Sequence, residues 1–187
     1  MKKLFLTFDD GPSAEYTMEL LNLLDEAGIK ATFFVVGEFA KAHPELVEEE
    51  IKRGHEVCLH ANRHISSWLM TRKTYPEDMD TALKTLEGLG IRPHYYRPPW
   101  GMTRRFSRYE AGKRKMHLIK WDVMAEDWRA HTTPAEICRK ILDRSFPGAV
   151  ICLHDGRGRN NAPSRTIEAL RTAIPTLLER GYTFETL

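Results

Sequence analysis

The sequence predicts an α/β fold built from parallel β/α units. Three observations predict it. Short apolar, strand-like runs alternate with longer helix-like stretches from end to end, as crossover connections between parallel strands require. The strand-like runs are largely apolar, as in a sheet covered on both faces. Reactive residue types recur where those runs end, which is where a parallel barrel gathers its chemistry. A closed or nearly closed barrel and an open, doubly wound sheet both satisfy these observations.

The elements follow in order. KLFLTF, residues 3–8, reads as the first strand. Glu15 to Ala27 is helical, with Met18, Leu21 and Leu24 near helical spacing and Gly28 as its stop. ATFFVVG, residues 31–37, is the second strand, and Pro44 to Arg53 a helix closed by Gly54. EVCLH, residues 56–60, is the third strand. Pro76 to Leu89 places Met79, Leu83 and Leu86 on one face and ends at Gly90. HYYR, residues 94–97, is a short fourth strand, Ser107 to Lys115 a helix, and MHLIKW, residues 116–121, a fifth strand. Thr133 and Glu136 have capping-box spacing with Pro134 at the first helical position, so a helix runs to about Arg144. GAVICLH, residues 148–154, is the sixth strand. Thr166 to Arg180 is a helix bent or broken near Pro175, and YTFETL, residues 182–187, closes as the seventh strand.

At 187 residues, 42% hydrophobic and 29% charged, the chain is expected to form one globular domain over residues 1–187 with a sizeable core. A net charge of +2 offers no global field for nucleic acid. The longest N-terminal apolar run, Leu4-Phe5-Leu6, is too short for a signal-peptide core or a membrane span. The expectation is a soluble, cytoplasmic monomer; a leader lost from the sequence would instead place it outside the cell or on its surface. Cys58, Cys138 and Cys152 cannot all pair with one another and read as reduced core residues.

Asp9 and Asp10 stand side by side after the first strand. Two adjacent carboxylates stay ionised only if something positive is near, or one takes up a proton. His60 and His64 sit four apart after the third strand, and a helical turn there would face both imidazoles the same way. Arg97, Trp121-Asp122 and His154-Asp155 end the fourth, fifth and sixth strands. Two histidines and one carboxylate make a three-ligand set that leaves a metal position open. One aspartate binding a divalent cation would let its neighbour remain ionised as a base.

TFDDGP (7–12), HANRH (60–64), RPPWG (97–101), DVMAEDW (122–128) and LHD (153–155) occur in that order. They resemble the five motifs of the polysaccharide deacetylase family, also called the NodB-homology or carbohydrate esterase 4 family. The resemblance spans roughly residues 4–187, with TFDDGP and RPPWG its most specific pieces. It implies a distorted (β/α)7 barrel and hydrolysis of N-acetyl groups on sugars. The implied cofactor is a divalent metal, usually zinc, with cobalt, nickel or manganese as alternatives. On this likeness Asp9 would be the general base, and Asp10, His60 and His64 the metal ligands. Arg97 would orient Asp9. Trp100 would line the sugar groove, its backbone N–H helping the metal hold the oxyanion. Asp127 would orient His154, the general acid. Trp128 would shape the pocket floor, and Leu153 would line the acetyl methyl pocket.

Two departures from the family pattern stand out. Ala61 replaces the usual Ser or Thr after the first histidine of the second motif, removing a hydroxyl that would brace the ligand loop. Met124 occupies a position often polar. With RHISSW, residues 63–68, these suggest a divergent branch with an unusual substrate. His43, His55, His94, His117 and His131 fit no motif; Asp122 and Asp155 read as structural acceptors or caps; Trp68, Trp121 and Tyr96 read as core or groove wall. From Arg92 to Lys120, nine Lys and Arg face the single acid Glu110. That stretch is either a solvated basic face or the seat of an anionic partner: a phosphorylated or lipid-linked N-acetylated sugar, or an anionic membrane surface. Competing readings are hydrolysis of a non-sugar amide or imide on the same scaffold, and a degenerate barrel that only binds glycan.

Overall fold

The computed structural model describes residues 2–187. Its elements are β1 (Lys2–Asp9), α1 (Thr17–Glu26), β2 (Thr32–Val35), α2 (Gly37–Ala42), α3 (Pro44–Lys52), β3 (Glu56–Leu59), α4 (Thr74–Gly88) and β4 (Tyr95–Tyr96). A 3-10 turn at Pro99–Gly101 leads to α5 (Arg105–Lys113), β5 (His117–Leu118), β6 (Val123–Met124), α6 (Pro134–Arg144), β7 (Val150–His154), α7 (Ala162–Glu179) and β8 (Tyr182–Glu185). No helix among the described residues is long and apolar enough to cross a membrane.

The eight strands form one parallel sheet in the order β5-β4-β3-β2-β1-β7-β6, with β8 also paired to β1. β1 is its centre. Its residues Thr7–Asp9 pair with Thr32–Phe34 of β2, and Lys2–Phe5 with Tyr182–Glu185 of β8, so these two strands share one edge of β1. Phe5–Asp9 pair with Val150–His154 of β7 on the other. The sheet path ends at β5 and β6, so the curled sheet is the expected distorted barrel, open between those two strands. In β1, Leu4, Leu6 and Phe8 are buried in the apolar core with Leu20, Leu21 and Leu24 of α1 and Leu170 and Ile174 of α7. The alternate residues Thr7 and Asp9 face the other way, toward Arg97.

Several elements depart from expectation. Met116–Trp121 is not one strand. Two-residue strands β5 and β6 flank Ile119–Asp122, so Trp121 and Asp122 lie between strands rather than ending one. Polar side chains supplement the remaining backbone bonds there: Arg97 donates to the Lys120 carbonyl, and the Asp122 carboxylate accepts from the Val150 N–H. The six-residue helix α2 was not legible, being too short to show a period. α7 starts at Ala162, before Thr166, and runs unbroken past Pro175. Ala173, Ile174 and Leu177 are buried on either side of that proline, and this packing carries the helix through one lost hydrogen bond. The expected capping box of α6 forms in full between Thr133 and Glu136.

Candidate active site

Asp9 is the last residue of β1. Asp10 follows in the left-handed region, at φ 74°, which aspartate tolerates better than most residues. Gly156 lies against this turn. A Cβ there would come 1.8 Å from the Asp10 carbonyl oxygen, so only glycine permits the approach. His60 leaves β3 with its Nδ1 2.7 Å from the Arg97 carbonyl. That contact assigns the proton to Nδ1 and leaves Nε2 unprotonated, its lone pair free to face a cation. The His60 and His64 Nε2 atoms lie 3.2 and 2.9 Å from the same oxygen, Asp10 Oδ1. That buried oxygen accepts no well-aligned hydrogen bond from either ring, the arrangement expected of donors that face a common cation. The three residues therefore fit a divalent ion. Burial alone would raise the Asp10 carboxyl, but the two imidazoles outweigh burial and hold it well below its ordinary value.

The HANRH loop is not the helical turn that its spacing suggested. Ala61 sits at φ 77°, and the chain bends there. What holds the loop is Asp78 of α4, which the sequence did not single out. Its carboxylate accepts from the Asn62 N–H at 2.8 Å and from Arg63 Nε at 3.0 Å. The Ala61 and Asn62 carbonyls accept from the N–H groups of Gly37 and Glu38 at the start of α2.

Arg97 is the largest fully buried side chain. It donates through one terminal nitrogen to Asp9 Oδ1 at 2.6 Å and Thr7 Oγ1 at 2.7 Å, and through the other to the Lys120 carbonyl at 3.0 Å. Its guanidinium also stacks 4.1 Å from the centre of the Phe34 ring. A buried cation this well engaged fixes Asp9 and balances its charge.

The β1–β7 register sets Asp9 directly beside His154. His154 Nδ1 lies 2.9 Å from Asp127 Oδ1, while Asp127 Oδ2 accepts from the His154 N–H at 2.8 Å and from Thr166 Oγ1 at 2.9 Å. Burial works against the imidazolium, but Asp127, and beyond it Asp10 and Asp9, lift it to about 9. Next in the chain, Asp155 is buried and accepts from Thr17 Oγ1. Burial raises its carboxyl to about 7.

A cleft of about 980 Å³ opens over these groups, with Trp100, Trp121, Met124 and Trp128 in its walls. Trp100 is held at φ 55° with its ring 4.2 Å from that of His64, centre to centre. Leu153 does not line the cleft. It is fully buried in the apolar core, while Cys152 and His154 on either side of it face the cleft. Strand alternation is the reason. The residue that meets the cleft is Cys152, its Sγ 3.5 Å from Asp9 Oδ2. Burial, and then Asp9, push that thiol well above its ordinary value. All three cysteines are free. The cations at the cleft are also not those expected: Arg129, Arg157 and Arg159 line it, and none of Arg104, Arg105 and Arg108 does.

A family profile described as polysaccharide deacetylase matches residues 1–119. The chain belongs to the polysaccharide deacetylase family. It is similar to the peptidoglycan-N-acetylglucosamine deacetylase of Listeria monocytogenes, 32% identical over 187 residues, covering all of this chain and 38% of that protein. It thus spans well under half the length of that relative. It is 30% identical over 191 residues to the chitooligosaccharide deacetylase of Bradyrhizobium sp., covering 97% of this chain and 87% of that one. Among solved structures, a family 4 carbohydrate esterase from Streptomyces lividans in complex with acetate matches at TM-score 0.90 and 29% identity, over 99% of this chain and 92% of that one. Asp127 and His154 lie beyond the stretch matched by the profile.

Proposed function

We propose that this domain is a metal-dependent deacetylase, acting as a monomer on an N-acetylated amino sugar in a glycan or glycan precursor. One observation carries the reading. Asp9 and His154 are paired across adjacent strands, one engaged by Arg97 and the other by Asp127, beside three converging cation donors. That is a base, an acid and a Lewis-acid seat around one cleft.

Asp10, His60 and His64 would hold the ion; zinc is the proposed metal, with cobalt, nickel or manganese as substitutes. When bound, such a cation polarises the amide carbonyl and raises the acidity of nearby water. Asp9 takes the proton of the attacking water through Oδ2, because Arg97 engages Oδ1. As the C–N bond breaks, His154 gives a proton to the departing amine from Nε2, since Nδ1 is engaged by Asp127. The Trp100 backbone N–H is the candidate donor to the developing oxyanion. Trp100 and Trp128, exposed at the cleft, offer ring faces to the sugar. The acetyl methyl then meets Cys152 in place of Leu153. Arg157 and Arg159 favour a substrate bearing phosphate or another anion.

The test is acetate release from N-acetylglucosamine oligomers and a phosphorylated analogue. Release is expected from metal-loaded protein, and its loss on chelation and in Asp9→Asn, although that variant keeps its metal. Metal-loaded protein that binds these sugars yet frees no acetate would make the barrel a binding module. Turnover confined to non-sugar amides or imides would replace the substrate class.

A further inference from the structure

Beside the cleft lies an apolar tip that this chemistry does not use. Trp68 is 64% exposed and Leu69 82% exposed, on the connection from β3 to α4. Leaving that much apolar area in water is unfavourable, and such patches mark contact surfaces. The tip is anchored. Ser67 Oγ donates to the Met102 carbonyl at 3.0 Å, and Ser66 Oγ contacts Met102 Sδ at 3.3 Å. The Arg104 guanidinium lies 5.6 Å from the Trp68 ring centre. Met102 is itself exposed, and Trp100, two residues before it, packs on His64. The tip is therefore continuous with the rim of the metal side of the cleft.

The charge around it is predominantly positive, five cations against the one free acid Glu77. Arg72, Lys73, Arg104, Arg105 and Arg108 are all exposed, and among the described residues none of them makes an ion pair. Of the nearby acids, Asp78 is engaged by Arg63, and Asp80 and Glu110 by Arg114, while Glu77 is exposed and makes no ion pair among the described residues. Residues 57–76 contain no acid at all.

We infer that this edge docks on an anionic lipid bilayer, with Trp68 and Leu69 entering the interface and the cations facing the headgroups. An indole suits the interfacial layer and arginine or lysine the anionic surface. A sugar platform would explain Trp68 but not Leu69, nor the unpaired cations beside it. Docking stands apart from the deacetylase reading. Its consequence, that the cleft is presented past Trp100 to a membrane-held amino sugar, rests on that reading.

The experiment is cosedimentation of the metal-loaded chain with phosphatidylcholine vesicles, with and without phosphatidylglycerol, at low and high salt. Binding is expected only with phosphatidylglycerol, weakening as salt rises. It should fall about tenfold or more in the pair Trp68→Ser with Leu69→Ser, and likewise in Arg104→Glu with Arg105→Glu. Unchanged melting and metal content would show that both variants are folded, and neither readout depends on turnover. Equal partition into both vesicle types would overturn the proposal, as would variants that bind like the parent. So would retention on chitin or peptidoglycan through Trp68 without vesicle binding.

Discussion

On the β1–β3 side of the cleft, Asp10, His60 and His64 all lie in turns beyond their strands, and Asp10 and Ala61 take φ of 74° and 77°. On the β6–β7 side, His154 is part of β7 itself, and its partner Asp127 is fully buried with both oxygens engaged. The first side brings three donors around one point and leaves an orphaned oxygen among them. The second side is complete without any ligand. The difference teaches where each half gets its order: the proposed cation would complete the first, and the fold alone completes the second.

Breaking the cation side should have the largest effect. Asp10→Ala or His60→Ala is expected to lose bound metal and to lower kcat/KM by about a thousandfold or more, the several kcal/mol that a catalytic cation supplies. Asp9→Asn should cost as much turnover while keeping the metal. Metal analysis beside acetate release separates the two. Equal metal content in parent, Asp10→Ala and His60→Ala would end the ligand assignment.

Breaking the acid side should leave metal content alone. Asp127→Asn is expected to lower kcat by roughly a hundredfold to ten-thousandfold, the usual span for acid–base groups. The pH profile sharpens the contrast. On the proposed mechanism His154 acts as the acid when protonated, and its folded value is raised from 6.5 to about 9. The parent should therefore hold its activity to higher pH than the variant, which lacks the Asp127 charge that raises the imidazole. The same sign holds for stability: the imidazolium's contribution is full below about 6.5 and disappears as pH passes about 9. An alkaline limb that does not move would belong to another group.

Much of this was legible, and the exceptions have physical causes. Carboxylates and histidines at successive strand ends were readable because parallel strands deliver their ends to one rim. Which residue of the ICLH run meets the cleft was not, because alternation fixes orientation only once register is known, and an error of one residue exchanges Leu153 for Cys152. Asp78 was invisible for a different reason. A helical acid far along the chain looks like any solvated charge until the fold brings it under Asn62 and Arg63. The nine cations from Arg92 to Lys120 do not ring the cleft as expected: Arg97 turns into the core, Arg114 pairs with Asp80 and Glu110, and Arg104 leans on Trp68.

Asp78 makes the comparison testable at intermediate scale. It touches no cation donor, yet it holds the loop between His60 and His64. Asp78→Asn is expected to weaken metal affinity about 10–100-fold, as loss of an outer-shell partner does, without moving the alkaline limb set by His154. Competition with a chelating dye measures the first, and a pH profile at saturating metal the second. Metal affinity within error of the parent would show that the backbone bonds to α2 suffice.

The smallest effect is expected at Ala61. The sequence suggested that a hydroxyl here would brace the ligand loop and that its absence loosens the metal. The backbone groups beside it are already taken, the Asn62 N–H by Asp78 and the Ala61 and Asn62 carbonyls by Gly37 and Glu38, although the His64 Nδ1 is buried without a partner. Ala61→Ser should therefore change the metal dissociation constant by less than about threefold, small beside the effect of an outer-shell partner. The backbone is the stronger feature of this position. Alanine at φ 77° is strained by about 1 kcal/mol, and glycine is not. Ala61→Gly should raise the melting temperature by up to about 2–4 °C, less what glycine adds to the entropy of the unfolded chain. Tenfold tighter metal in the serine variant, with no change of melting in the glycine one, would restore the missing hydroxyl as the weakness of this loop and remove Asp78 as its brace.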